Sequence, residues 1–155
     1  MHNPFRLPLL MLNSRRPSRI GEMPTVRDGL WLRKGYDALT FFGHIVVATD
    51  EMVEEMKEKA SPLRNHEMIH LRQAQSTHDS WFFFYLLYIW YYVKALPANR
   101  KYRNAAYLLN PFEVEAYLHM ADADYLQKPE CGQEWRRFAE MKPIERINYY
   151  KHLKK

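Results

Sequence analysis

Two histidines and a glutamate lie within five residues of this sequence, in the pattern His66-Glu67-Met68-Ile69-His70. In an α-helix, residues i and i+4 lie on the same face, so both imidazoles can bind one metal ion. Glu67 is rotated by about 100° from His66 around the helix axis, which places its carboxylate beside the metal. There it can accept a proton from a metal-bound water molecule. The five residues therefore predict two zinc ligands and one general base.

The residues around this motif favour a helix. Ser61 is a good N-cap, and Pro62 suits the first helical position. The stretch 63–75 contains neither glycine nor proline, so a helix of about three turns is expected. The alternative is a charged helix on the protein surface, with no bound metal.

A third ligand must come from elsewhere in the chain, because catalytic zinc commonly holds three protein ligands and one open position. No Gly-x-x-His follows His70. Downstream, Asn110-Pro111 is typical of a helix start, and we expect this helix to run to about Leu126. It carries Glu113 and Glu115. Glu113 has a second possible role, since its carboxylate can close a capping box with Asn110.

The motif at 66–70, followed by Glu113-Val114-Glu115-Ala116, resembles the gluzincin metallopeptidases, a group that includes thermolysin and the prenyl-protein endopeptidases of the membrane. The short chain is similar to the minigluzincins, which are compact domains with this active-site arrangement. The resemblance implies a zincin-like fold, a Zn²⁺ cofactor, and hydrolysis of a peptide or protein substrate. It also implies that Glu113 is the third zinc ligand, with Glu115 in reserve. The family often has Asp where this chain has Tyr117, so a ligand histidine needs another supporting group.

Several further side chains could lie near the metal and contact its ligands or the substrate. Asp122 and Asp124 can orient a ligand histidine, because metal-bound imidazoles usually donate their other N–H to a carboxylate or carbonyl. Gln73 lies three residues after His70 and can contact the substrate or the zinc ligands. The candidate hydroxyl donors to a tetrahedral intermediate are Tyr85, Tyr88 and Tyr107. Three further histidines remain, and a structural role is the simpler interpretation for each of them: His44, His78 and His119.

The composition predicts an α+β fold, mainly helical, in a single domain with a small N-terminal sheet. The chain has 155 residues, with 11 Tyr, 8 Phe and 4 Trp but only 5 Gly, which favours helices over a β-rich fold. Residues 1–20 are predicted to form a flexible arm and 21–155 the minigluzincin-like domain. The predicted strands cover 30–33 and 39–49. The other predicted helices are one from Asp50, its cap, to Lys59, one over 133–141, and a short one after Pro143.

Residues 81–93 form an unbroken run of apolar and aromatic side chains. A membrane-spanning helix needs about 20 such residues, so the run is too short to cross a bilayer alone. Two interpretations remain: a buried helix packed behind the motif helix, or a helix that lies on a membrane surface.

The net charge and the number of cysteines limit which cellular compartment and which classes of binding partner are expected. The formal net charge is +5, and its basic clusters are explained by solvated surface, so no nucleic-acid partner is expected. Cys131 is the sole cysteine, which excludes an internal disulfide and fits a reducing compartment. No convincing signal peptide is seen, so we expect a cytoplasmic protein, or alternatively a membrane-associated one.

The sequence therefore predicts a zinc-dependent metallopeptidase. In this hypothesis His66, His70 and Glu113 bind Zn²⁺, and Glu67 is the general base. The alternative is a non-catalytic zinc-binding or scaffold protein, with or without attachment to a membrane surface.

Overall fold

The computed structural model describes residues 25–27 and 38–149, with only the backbone described for 25–27. The strands are β1 (Thr25–Arg27), β2 (Ala38–Phe41) and β3 (His44–Val47). The α-helices are α1 (Asp50–Glu55), α2 (Pro62–Ser76), α3 (Trp81–Ala95), α4 (Ala105–Leu108), α5 (Pro111–His119) and α6 (Trp135–Glu140). Short 3-10 helices cover Leu96–Arg100, Tyr125–Gln127 and Pro143–Arg146. The described residues are thus mainly helical with a small sheet, and the predicted α+β class is confirmed at that level.

The sheet contains β1, β3 and β2 in that order, with β1 parallel and β2 antiparallel to β3. The predicted single strand over 39–49 is wrong, because the chain reverses at Phe42 and Gly43. Their φ angles are 44° and 83°. Two consecutive positive φ values are typical of the two-residue turn that joins hairpin strands. The predicted strand at 30–33 and the predicted arm over 1–20 lie outside the described residues.

Helices α1 and α2 begin at side-chain caps. The N-cap of α1 is Thr49, whose hydroxyl accepts from the backbone N–H of Met52. Asp50, the predicted cap, instead lies in the first turn, and the helix ends at Glu55 rather than at Lys59. The Ser61 cap of α2 is confirmed: its hydroxyl accepts from a backbone N–H one turn on.

Helix α3 follows α2 and packs against it through one face only. Among its residues, Trp81, Phe84 and Ala95 are buried. Its opposite face leaves large apolar side chains exposed, so the prediction of a buried helix holds for one face and is wrong for the other. Within the part of the chain that the structure describes, no helix has both the length and the hydropathy needed to cross a lipid bilayer.

Helix α5 is shorter than predicted, since it ends at His119 instead of near Leu126. Shortly after its end, the Asp122 carboxylate accepts from the backbone N–H of Asp124. Such local side-chain bonds compete with helical pairing. Helix α6 lies inside the predicted range 133–141, and the short helix predicted after Pro143 is present as a 3-10 helix.

The main core lies where α2, α3 and α5 meet. Its largest members are Met68, Ile69, Leu71, Trp81, Phe84, Phe112, Tyr125, Leu126 and Trp135. These apolar contacts hold α2 against α5. The motif residues of α2 and the glutamates of α5 therefore share one buried interface.

Candidate metal centre

Two packed helices bring three ligand-type side chains together. His66 and His70 lie one turn apart on α2, and Glu113 lies in the first turn of α5. All three are buried, and their ligand atoms lie within 4.8 Å of one another. Nε2 of His66 is 3.2 Å from Nε2 of His70. Glu113 places Oε2 3.3 Å from His66 Nε2 and Oε1 3.4 Å from His70 Nε2.

These separations fit a single metal ion. Zinc bonds of about 2.0–2.1 Å in tetrahedral geometry place two ligand atoms about 3.3–3.4 Å apart. The distance between the two histidine nitrogens is close to that edge length, and each nitrogen lies at a similar distance from one of the two Glu113 oxygens. Two imidazole nitrogens that face each other at 3.2 Å need a proton or a metal ion between them, because two lone pairs would otherwise meet. The group can therefore hold a metal.

The electrostatics of the three side chains favour a cation at this point. Burial by itself lowers the pKa of His70, but the charge and hydrogen bonding of Glu113 outweigh it and raise the pKa to about 9. Burial also opposes ionisation of Glu113, yet the positive charge of His70 and hydrogen bonds from both histidines hold its pKa well below its usual range. Both pKa shifts have one cause: the Glu113 carboxylate stabilises positive charge between these side chains.

Gln73 fixes the orientation and tautomer of His70. Its Nε2 donates to the backbone oxygen of Phe112 at 2.9 Å and to Oε2 of Glu115 at 3.0 Å. The amide oxygen Oε1 therefore faces Nδ1 of His70, 2.7 Å away, and accepts its proton. A neutral His70 then carries its lone pair on Nε2, the atom that faces the metal position. Of the two contacts expected for Gln73, the one with a histidine of the motif is present.

The second ring nitrogen of His66, unlike that of His70, is not held by a hydrogen bond among the described residues. Its Nδ1 is buried and has no hydrogen-bond partner among the described residues. Its ring packs edge-on against Tyr117, with 4.6 Å between the ring centres. His66 therefore has an aromatic contact with Tyr117, whereas the Nδ1 partner of His70 is a hydrogen-bond acceptor, Gln73.

Glu67 lies beside the histidines and is held by the sheet. Its side chain is buried, and its charge acts on His70. The hydroxyl of Thr40, on β2, donates to Oε2 of Glu67. This bond ties the base candidate to the edge strand. Thr40 was not predicted as a site residue, since a threonine within a strand pattern carries no sign of its partner 27 positions away.

Glu115 lies on α5 but faces away from the histidines. Its Oε1 accepts from the hydroxyl of Tyr125 and the backbone N–H of Gly132, and its Oε2 accepts from Gln73 and the backbone N–H of Trp135. Burial raises the pKa of Glu115, and these four donors oppose that shift. The reserve-ligand interpretation of Glu115 is therefore wrong, because all four partners hold its carboxylate outside the ligand group.

Gly132 allows the chain to approach Glu115. Its φ is +77°, a conformation that side-chain-bearing residues rarely adopt, and an added Cβ would lie 2.4 Å from the backbone carbon of Arg72. Glycine at this position brings the backbone N–H to 2.6 Å from Glu115 Oε1. This turn after α5 thus depends on glycine at position 132.

The capping interpretation of Glu113 is also wrong. Asn110 caps α5 by itself, accepting from the backbone N–H of Phe112 at 3.3 Å. The Glu113 carboxylate instead accepts from the Tyr88 hydroxyl at 2.7 Å through Oε1. Tyr88 therefore anchors the third ligand candidate from α3.

The other two predicted hydroxyl donors contact protein atoms. Tyr85 donates to the backbone oxygen of Thr40 at 2.8 Å and accepts from the backbone N–H of Phe42 at 3.2 Å, which covers part of the edge of β2. The hydroxyl of Tyr107 lies 3.3 Å from that of Tyr117. Neither contact includes a ligand-group atom.

The remaining candidates lie away from the three ligand-type residues. Asp122 pairs with Lys128, and Asp124 is exposed, so the prediction that they orient a ligand histidine is wrong. His119 stacks on Tyr125 and pairs with Glu134. Nδ1 of His44 lies 3.1 Å from the backbone oxygen of Phe42, and the His78 ring contacts Phe83.

No protein-family model matches this chain, and no curated protein or solved structure is significantly similar to it.

Proposed function

We propose that this chain is a zinc-dependent metallopeptidase with a gluzincin-like, zincin-type active site that hydrolyses bonds in a peptide or protein. One observation carries the proposal: His66 and His70 face each other at the edge length of a tetrahedral zinc site, and each lies at a similar distance from one oxygen of the Glu113 carboxylate. The resemblance of their sequence motifs to those of gluzincins supports the assignment of zinc. So does the ligand chemistry, because two imidazoles and one carboxylate form a common catalytic zinc set.

The protein's own residues supply the proton transfers. When bound, zinc supplies Lewis-acid activation of water and of a carbonyl group. Glu67 accepts the proton of the attacking water at Oε1, since Thr40 holds Oε2. Glu67 then passes that proton to the nitrogen of the leaving amine. Gln73 keeps Nε2 of His70 directed at the metal position, and Tyr88 holds the Glu113 carboxylate.

A second function is metal binding without turnover. The burial of the centre favours it, because His66, Glu67 and His70 are each no more than 6 % exposed. A peptide substrate has to reach the metal and the base together. In this alternative the chain binds zinc and cleaves nothing.

The test combines metal analysis with peptide cleavage. Protein purified without added zinc is expected to carry one zinc per chain, and His66→Ala is expected to carry far less. Glu67→Gln is expected to keep the zinc and to lose about 10²–10⁴-fold in the rate of cleavage of a broad peptide library, the usual contribution of a general base. Glu54→Gln makes the same change at an exposed residue of α1 and is expected to keep both properties.

Three outcomes separate the alternatives. Equal zinc in the parent and in His66→Ala would exclude the site itself. Zinc in the parent without cleavage of any library peptide would favour binding without turnover. Zinc-dependent cleavage that survives Glu67→Gln at full rate would overturn the role of the base.

A further inference from the structure

The outer face of α3 is an exposed apolar surface whose side chains lie outside the core clusters of the described residues. We call it the α3 face, and its exposed members are Phe82, Phe83, Leu86, Ile89, Trp90, Val93 and, just beyond the helix, Leu96. At about 100° per residue these side chains fall within an arc of roughly 140°. They form one continuous stripe along the helix. Apolar patches of this extent mark sites of protein or membrane contact.

The surface around this stripe is basic. Residues 80–112 contain no Asp or Glu. Lys94, Arg100, Lys101 and Arg103 are all exposed in the same stretch. The ammonium of Lys94 lies 4.8 Å from the centre of the Trp90 ring, so one positive charge sits at the border of the α3 face itself. An occupant of this face therefore has to be apolar and negatively charged at its edge.

We propose that the α3 face binds the surface of an anionic lipid bilayer. An interfacial helix buries an apolar stripe at the level of the headgroups while Lys and Arg contact the anionic lipids. Helix α3 has 15 residues. At the usual rise it is about 22 Å long, shorter than the hydrocarbon thickness of about 30 Å, so it lies along the surface rather than across it. Trp90 at the basic border suits the headgroup region, where the amphipathic indole is favoured.

A second copy of the chain fits this face less well. A parallel pair of α3 helices would bring two basic clusters together. An antiparallel pair would find no carboxylate within 80–112 to balance them. Lipid phosphates and serine headgroups supply the negative charge that a second copy lacks along this stretch. The proposal depends on α3 alone and is independent of zinc binding and of catalysis.

Flotation of the full chain with lipid vesicles tests the proposal. We expect the protein to float with vesicles of phosphatidylcholine mixed with phosphatidylserine, and much less with phosphatidylcholine alone or in high salt. Leu86→Ser is expected to weaken binding by about 10–100-fold, because the variant no longer buries an apolar side chain among the lipids. Leu39→Ser makes the same change at an exposed leucine of β2 and is expected to bind as the parent does.

A charge variant tests the electrostatic half. The double variant Arg100→Gln, Lys101→Gln is expected to lose roughly fivefold per charge on the phosphatidylserine vesicles, since each basic residue near an anionic surface contributes about 1 kcal/mol. Binding to phosphatidylcholine alone should not change. Circular dichroism of each variant checks that the fold is intact.

Any of three results would overturn the proposal. The first is recovery of the parent protein wholly outside the vesicle fraction. The second is an equal loss of binding in Leu86→Ser and Leu39→Ser. The third is a parent that sediments as a dimer and becomes monomeric in Leu86→Ser, which would make the α3 face a contact between two copies of the chain.

Discussion

Of the two consecutive helices α2 and α3, the more polar one, α2, is the more deeply buried. Helix α2 is rich in polar and charged residues, yet nine of its residues are buried, among them Glu67 and Gln73. Helix α3 is almost entirely apolar and aromatic, yet it buries only Trp81, Phe84 and Ala95. Hydrophobicity alone would assign the two helices to the opposite locations. Hydrogen-bond and packing partners, rather than composition, therefore decide which of these two helices is enclosed.

Partners make the burial of α2 possible. A buried polar group costs free energy unless it is hydrogen-bonded. On α2, the Glu67 carboxylate accepts a hydrogen bond from Thr40. The Gln73 amide is hydrogen-bonded to His70 and to Glu115. Three buried atoms of α2 are exceptions, for which the described residues supply no partner: Oδ1 of Asn65, Nδ1 of His66 and Nε of Arg72. Buried polar atoms without a partner are uncommon in native proteins.

The loss of zinc in Glu113→Gln is the largest effect expected. The variant removes the negative ligand that balances His66 and His70. Loss of an outer partner of a metal ligand costs about 10–100-fold in affinity, and removal of a ligand should exceed that. Competition with a chelator measures it. An affinity equal to that of the parent would show that α2 is buried for a reason other than a metal.

Glu115→Gln is expected to do the reverse: to destabilise the fold while zinc content is retained. One oxygen of the carboxylate becomes an NH₂ group, so two of its four donors lose their acceptor. At about 1–3 kcal/mol for each unsatisfied buried donor, the free energy of unfolding should fall by about 2–6 kcal/mol. Urea denaturation measures it. Glu134→Gln, at a more exposed carboxylate, is the control, and an equal loss there would contradict the role of Glu115.

Gln73→Met should weaken zinc binding by about 10–100-fold, the usual cost of losing a partner of a ligand histidine. The methionine keeps the length of the side chain but cannot fix the tautomer of His70. Gln75→Met, two residues on along α2, is the matched control and should bind zinc as tightly as the parent does. Equal affinities in both variants would separate Gln73 from the metal centre.

Ile89→Ala should give the smallest effect, a change of about 0.5 kcal/mol or less in the free energy of unfolding, since Ile89 is 59 % exposed. The matched variant Ile69→Ala, at a fully buried isoleucine of α2, should cost about 2–5 kcal/mol. Urea denaturation compares the two. A large loss at Ile89 would mean that the α3 face is enclosed by other parts of the chain.

Local rules explain the elements that the sequence predicted well. The caps at Ser61 and Asn110, each followed by proline, mark the starts of α2 and α5 because capping involves residues close in the chain. The spacing of His66 and His70 places them on one face of a helix for the same local reason. The hairpin turn at Phe42 was missed, because a phenylalanine with positive φ is uncommon and its pattern continues that of a strand.

The helix that carries His66, Glu67 and His70 follows from the sequence alone, as does the α+β class, because helical periodicity and end caps depend on neighbouring residues. Tertiary packing sets which glutamate of α5 faces the histidines, since the contact of α2 with α5 turns Glu113 toward them and Glu115 toward Gln73. It alone also decided which face of α3 is left outside. Both outcomes depend on how helices pack, and packing joins residues that are distant in the chain.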